Sequence, residues 1–238
     1  MSYFETKFKI RYSDINRNNK VRPQALIRYL QEIAGLHSDS VQDGLNYIEE
    51  NKSVWIVLNW KLKIFETLKW GEEIALKTWS RKMDKFYAYR DYEFYKNGKL
   101  IGIATSKWIF MDLIENTIKK PPEDLINRYE SQDIMVFEEE IGKLKEEENM
   151  KLKYTYTIQE RDIDVNLHVN NSCYVDFAME VLDNAAEISE LEVMYKKECK
   201  LGDIIECYHT ETEKNENFIT IKNKENSQIS AIVKVILK

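Results

Sequence analysis

This chain repeats itself, and that constrains its fold more than any other feature. Residues 12–18 (YSDINRN) lie without gaps on residues 160–166 (ERDIDVN) at a constant offset of 148, so that Asp14, Ile15 and Asn18 fall on Asp162, Ile163 and Asn166. The same offset carries Val21 onto Val169, Tyr29 onto Phe177 and Glu32 onto Glu180. Single coincidences are cheap, whereas a run held in one register is not. A duplicated unit has to be recognised before local structure is assigned, because it determines the architecture.

Each copy then reads as the same series of elements. After Pro23, the apolar residues Leu26, Leu30, Ile33, Ala34 and Val41 keep helical spacing, with the proline suited to the first turn and Gly44 offering a stop. In the second copy Tyr174, Phe177, Ala178, Val181, Leu182 and Ala185 repeat that spacing, with Asn170 or Asn171 as N-cap. One long buried helix per copy is expected. Strand signals follow over residues 54–65, 73–79, 86–95 and 100–110, with Asn97-Gly98 marking a hairpin, and again over 191–200, 204–211, 218–222 and 229–237. Trp70-Gly71-Glu72 matches Leu201-Gly202-Asp203 at an offset of 131, so the second copy is seventeen residues shorter between helix and sheet. The extra material around residues 46–53 is either an ordinary loop or a lid or specificity element. Pro121-Pro122-Glu123-Asp124 reads as a helix start, and the charged residues at 138–140 and 143–148 as a solvated stretch.

A strand, a helix and an antiparallel meander can bury the helix's apolar face only if the sheet wraps it. That describes a hotdog unit. The expected fold is α+β, a double hotdog, with one unit over residues 1–120, a linker over 121–150 and a second unit over 151–238.

Composition agrees and excludes several classes. Fourteen tyrosines, nine phenylalanines and five tryptophans against three prolines favour aromatic-rich antiparallel sheets, and Trp55, Trp60, Trp79 and Trp108 are read first as core. A net charge of −6 argues against a nucleic-acid partner, which needs a concentrated positive face. Cys173, Cys199 and Cys207 are odd in number and lack paired short spacings, so a reducing compartment is expected and no disulfide framework. The three cysteines and three histidines make no ligand set, so neither a metal nor an organic cofactor is expected. The first ten residues alternate polar and apolar, and no stretch has the length of a membrane span, giving a cytoplasmic expectation.

Two segments carry a family resemblance. Residues 164–174 (DVNLHVNNSCY) look like the D-x-N-x-H-V-N-N-x-x-Y segment of the acyl-acyl-carrier-protein (acyl-ACP) thioesterases of plants and bacteria, and residues 195–199 (YKKEC) look like their Y-[RK]-[RK]-E-C segment. The resemblance covers nearly the whole chain. It implies a tandem hotdog whose C-terminal half carries the catalytic residues and whose N-terminal half shapes the acyl pocket. It further implies hydrolysis of fatty acyl-ACP to free fatty acid, with an acyl carrier protein as partner. Asp164, Asn166, His168 and Glu198 match the family's catalytic polar set, and Cys199 stands where a cysteine nucleophile was once favoured. Acyl-CoA hydrolysis at the same site and a non-catalytic acyl-binding role are the alternatives, and a homodimer is left open.

The residue types suit that chemistry. Thioester hydrolysis needs a polarised carbonyl, an activated water and a place for the oxyanion. Asn166 can donate an amide N–H, His168 can donate or accept, and the first amides of the helix after Asn170 are oriented donors. Glu198 can take the proton of an attacking water, and an apolar lining would raise its pKa usefully. Asp164 would then orient Asn166 or His168. Against this, His168 can be a turn or capping residue, and Asp164 and Asn166 commonly stabilise loops. The repeat bears on that choice, since the counterpart of His168 is Lys20 and that of Asp164 is Asn16, while Asp162 and Asn166 are kept as Asp14 and Asn18. A purely structural turn explains the shared residues but not the histidine, so the first copy reads as catalytically silent. Glu198 and Cys199 compete, because neighbours on a strand face opposite ways. Glu198 is preferred as base, since a thiolate needs local positive charge and Lys196, Lys197 and Lys200 read more simply as surface. Those lysines with Arg161 are also the candidate contacts for an acidic carrier protein. Cys173 and Cys207 are read as packing, His37 as a helix-surface or pocket-rim residue, and His209 as an ordinary strand residue.

Overall fold

The computed structural model describes residues 3–164, 167–182 and 187–238. In the first half, β1 (Phe4–Lys9) leads to α1 (Pro23–Ser40) and α2 (Leu45–Asn51), then to β2 (Ser53–Ile64), β3 (Glu73–Asp84), β4 (Tyr87–Lys96) and β5 (Lys99–Asp112). A two-residue β6 (Thr117–Ile118) and α3 (Glu123–Arg128) precede the crossing to the second half. There β7 (Lys151–Thr157) leads to α4 (Asn171–Met179), β8 (Ile188–Tyr195), β9 (Ile204–Glu211), β10 (Glu216–Asn223) and β11 (Ile229–Leu237).

The strands form one antiparallel sheet in the order β1-β3-β4-β5-β2-β8-β11-β10-β9-β7, with β6 alongside β5. Read from its two ends, this is one five-strand order written twice, so the chain is two sequential hotdog units joined edge to edge through β2 and β8. Lys61 pairs with Glu192 across that seam, and the 131-residue offset makes these two residues counterparts. A local two-fold axis therefore passes through this pair, whose side chains also form an ion pair at 3.7 Å. The sheet curls around α1 and α4, which pack against each other. Leu26, Leu30 and Ile33 of α1 and Val175 and Ala178 of α4 belong to one buried apolar cluster that includes Ile74, Phe94, Ile205 and Val233 from both halves of the sheet.

The duplication is visible bond by bond. The Asn16 N–H donates to the Lys20 carbonyl and the Asp164 N–H to the His168 carbonyl, both at 2.8 Å. Arg22 to Asp14 and Asn170 to Asp162 repeat at 2.8 Å, and the bridge between Ile15 and Val21 recurs between Ile163 and Val169. Asn19 and Leu167 share a left-handed backbone, with φ of 55° and 63°. One polar contact is conserved by exchange rather than identity. The hydroxyl that reaches buried Asp14 comes from Tyr29 on α1, whose ring packs tilted against Phe8 of β1, whereas the one that reaches Asp162 comes from Tyr156 on β7, whose ring packs tilted against Phe177 of α4.

Several elements depart from the sequence expectation. The second helix is nine residues long, because after Met179 the amides of Val181 and Leu182 turn to carbonyls three residues back and tighten the chain out of the α-helix; Ala185 lies outside the described residues. Helix α1 ends at Ser40, not at Gly44, with Gln42 taking the left-handed turn and Gly44 capping α2. The extra segment is thus a short helix leading into β2. Asn97-Gly98 does close a hairpin, both residues with positive φ as a type I′ turn requires. Part of the linker is strapped down: the buried Asp91 carboxylate receives the Val136 N–H at 2.8 Å and pairs with buried Arg81.

His37 is buried, not at a surface or rim. Its Nδ1 accepts from Arg90 Nη1 at 2.6 Å, and its ring stacks on Phe4 and meets Tyr129 edge-on. Burial, reinforced by the Arg90 charge, lowers its pKa to about 3. The unfolded chain takes up a proton near pH 6.5 that the folded chain refuses, so this contribution to stability is complete above pH 6.5 and is lost as pH falls toward 3. Each pH unit in that window is expected to cost up to about 1.4 kcal/mol, or roughly 3 °C in Tm. Burial pushes the nearby Asp43 carboxyl upward, which acts in the opposite sense. Comparing Tm of the wild type and His37→Asn at pH 7.5, 5.5 and 4.5 isolates the histidine, and parallel curves would refute the assignment.

Candidate active site

Asn170 caps α4: its Oδ1 accepts the backbone N–H and the hydroxyl of Ser172 at 2.9 and 2.8 Å. The capped turn presents residues 167–169 at the helix start. His168 and Glu198 meet there, with Nε2 and Oε1 3.3 Å apart, the histidine side chain 36% and the glutamate 58% exposed. Asp164 is in the same turn, its N–H fixed to the His168 carbonyl. Asn166 lies outside the described residues. The Asn171 amide is the first of α4, where helix N–H groups have no carbonyl partner within the helix.

Glu198 is not enclosed by the apolar lining expected around it, since more than half of its side chain meets solvent. Nor is it on a strand. β8 ends at Tyr195, and residues 196–200 run irregularly back to the helix start, so strand alternation does not decide between Glu198 and Cys199. Burial sets the two apart. Cys199 is fully buried, its Sγ 3.0 Å from Ser230 Oγ, and burial raises its thiol pKa, the reverse of what a thiolate nucleophile needs. Cys207 is likewise buried and pushed up to about 12, while Cys173 is half-buried. His209 sits on β9 with Nε2 2.9 Å from Asn217 Oδ1.

The loop carrying Glu198 is tied to α4 by two tyrosines to which sequence reasoning gave no task. The Cys199 N–H donates to the Tyr174 hydroxyl at 2.9 Å, and the Tyr195 hydroxyl donates to the Asn171 carbonyl at 2.9 Å. The rings touch, centroids 5.8 Å apart. Each tyrosine belongs to one of the two motifs and bonds to the other motif's backbone. Their counterparts in the first half are Leu26 and Ile64, which can do neither.

The counterpart of the His168–Glu198 pair is Lys20 and Thr67, and a cleft of about 430 Å³ opens there, lined also by Gln24, Met179 and Leu182. Glu187 ties the two together: it pairs with the Lys20 ammonium and accepts from Thr67 Oγ1 at 2.7 Å, and these bonds hold its carboxyl down near a pKa of about 2. A carboxylate so engaged with a lysine is a poor base. This cleft thus sits on the copy without the histidine.

Two family models match, the acyl-ACP thioesterase N-terminal domain over residues 1–129 and the acyl-ACP thioesterase C-terminal domain over residues 142–236. The chain belongs to the acyl-ACP thioesterase family. Among relatives in this family, oleoyl-acyl carrier protein thioesterase 1, chloroplastic, of Arabidopsis thaliana is 25% identical over 239 residues, covering 89% of this chain and 64% of the relative. The palmitoyl-acyl carrier protein thioesterase, chloroplastic, of Gossypium hirsutum is also 25% identical, covering 92% of this chain and 57% of its own. This chain therefore spans less than two thirds of these plant relatives. An acyl-ACP thioesterase from Bacteroides thetaiotaomicron has the same fold, with a TM-score of 0.91 at 21% identity over 99% of this chain and 98% of that one. The 12:0-ACP thioesterase of Umbellularia californica superposes with a TM-score of 0.85 at 18% identity over 99% and 97% of the two chains.

Proposed function

We propose that this acyl-ACP thioesterase family member hydrolyses fatty acyl thioesters carried on acyl carrier protein. Water adds to the thioester carbonyl, the carbon–sulfur bond breaks, and the products are free fatty acid and the carrier's thiol. The observation that carries the proposal is the His168–Glu198 contact of 3.3 Å at the start of a capped helix. In this reading the pair takes the proton of the attacking water and returns one to the leaving sulfur, with Glu198 as base and His168 as its partner. The first amide of α4, with Asn166, receives the oxyanion, and Asp164 orients the turn. Stabilisation by the helix N-terminus is favourable for a developing negative charge.

The carrier as partner is supported by charge. Lys196, Lys197 and Lys200 are exposed beside Glu198, and among the described residues no carboxylate lies within salt-bridge distance of them. Arg161 is exposed as well, its Nη2 3.2 Å from the Tyr156 hydroxyl. A patch of unpaired cations captures an acidic protein by long-range attraction, which salt screens. With one acyl chain presented on carrier protein and on coenzyme A, kcat/KM for the carrier substrate is expected to be the higher at low salt. It is expected to fall about tenfold between about 50 and 300 mM salt. An equal or higher kcat/KM for the coenzyme A ester at every salt concentration rejects the carrier as substrate. Bound but intact thioester, with no repeated release of acid, rejects hydrolysis.

A further inference from the structure

The reciprocal tyrosine bonds have no counterpart in the first half, although the backbone frame they cross is repeated there. Val21 N–H donates to the Leu68 carbonyl at 2.9 Å, and Val169 N–H donates to the Cys199 carbonyl at 3.1 Å, so in both halves one backbone bond already docks the post-strand loop onto the turn. In the first half the Asn19 Oδ1 accepts the Trp70 N–H at 3.1 Å, whereas in the half with the histidine two tyrosine hydroxyls bond on either side of that junction. Tyr174 holds the Cys199 amide, the peptide that directly follows Glu198, and Tyr195 holds the carbonyl of Asn171, the residue that opens α4. Burial raises the pKa of both phenols, so they stay protonated, one free to accept and the other to donate. The fold does not need them, since Leu26 and Ile64 occupy their places where Lys20 and Thr67 stand.

We propose that Tyr174 and Tyr195 are positioning residues for hydrolysis, fixing the Glu198 carboxylate and the first amide of α4 relative to His168. Glu198 lies on an irregular loop with an exposed side chain, so its own packing does not hold it. The peptide bond to Cys199 does, because that residue is fully buried and its N–H is committed to Tyr174. Tyr195 sets the other side of the site by pinning the Asn171 carbonyl, and with it the plane of the helix's first turn. Displacement of either by about 1 Å costs rate without removing any reacting group.

This proposal rests on the His168–Glu198 reading, and the experiment separates the two. Tyr195→Phe keeps the ring and removes one bond to the backbone of Asn171, a partly exposed residue. It is expected to lower kcat about tenfold, with KM within about twofold and Tm within about 2 °C of wild type. Combined with Glu198→Gln it is expected to lose less than the two single losses multiplied together, because the helix turn it orients and the Glu198 carboxylate act on one transition state as a unit. Tyr174→Phe is expected to give the same loss of kcat together with a lower Tm, since it leaves a buried N–H unpaired. Wild-type kcat in Tyr195→Phe overturns the proposal, as does a loss that adds in full to that of Glu198→Gln. So does a loss of kcat matched by a loss of folded Tyr195→Phe protein. Full activity in Glu198→Gln alone refutes the pair itself, a different failure.

Discussion

His168→Ala and Glu198→Gln are each expected to lower kcat on acyl-ACP by about 10²–10⁴-fold, with Tm changed by less than about 2 °C. The two side chains are 3.3 Å apart and substantially exposed, so little packing is lost with either. An exposed ion pair contributes at most about 1 kcal/mol, which bounds the thermal effect. The double variant is expected to be no slower than the slower single one, because groups that act as a unit are lost together. Cys199→Ala supplies the contrast. Its thiol is packed against Ser230 inside the protein, so the variant should lose some stability and keep kcat within about threefold. Steady-state kinetics with denaturation curves on all four proteins decide the matter, and turnover lost in Cys199→Ala but kept in Glu198→Gln would reverse the assignment.

Trp60→Ala is expected to destabilise the protein by about 3–5 kcal/mol, lowering Tm by roughly 10 °C. Trp60 is fully buried on β2, pairs with Val193 across the seam between the halves, and packs against Tyr92 and Trp108 with ring centroids 5.5 and 5.9 Å away. The cavity would open where the two units share one core, so both should melt earlier and still together. Calorimetry checks this: one endotherm whose van't Hoff and calorimetric enthalpies agree is expected in both proteins. Two separated transitions in the wild type would show that the seam does not couple the halves. Trp60→Phe is expected to cost far less, since the indole Nε1 has no hydrogen-bond partner in the described structure and nothing polar is orphaned by its removal.

What sequence made legible followed from the repeat. Matching Asp14 to Asp162 placed both turns, and the copied hydrogen bonds at Asn16 and Asp164 show that the register was right to the residue. The hairpin at Asn97-Gly98 was readable because its backbone geometry admits few residues. Helix ends were less so, as tertiary packing closes α4 after Met179 while apolar spacing continues through Leu182. His37 was misread for the same reason: its partner Arg90 is 53 residues away, and no local pattern announces a buried histidine held by a distant guanidinium. Tyr174 and Tyr195 stood inside the two motifs, and comparison with Leu26 and Ile64 would have marked them as gained polar groups. What they bond to, a backbone amide and a carbonyl, carries no side-chain signature.

The exchange of hydroxyl between strand and helix restricts how the two copies can recombine. A chimera joining β1 to a helix of the second kind would face Asp14 with Phe8 and a phenylalanine from the helix, leaving a buried carboxylate without its phenol. The reverse graft would crowd Tyr156 and a helix tyrosine onto the single acceptor Asp162. Strand and helix have therefore become a matched set within each copy, and the halves, though cast from one template, now drift only as linked pairs of positions.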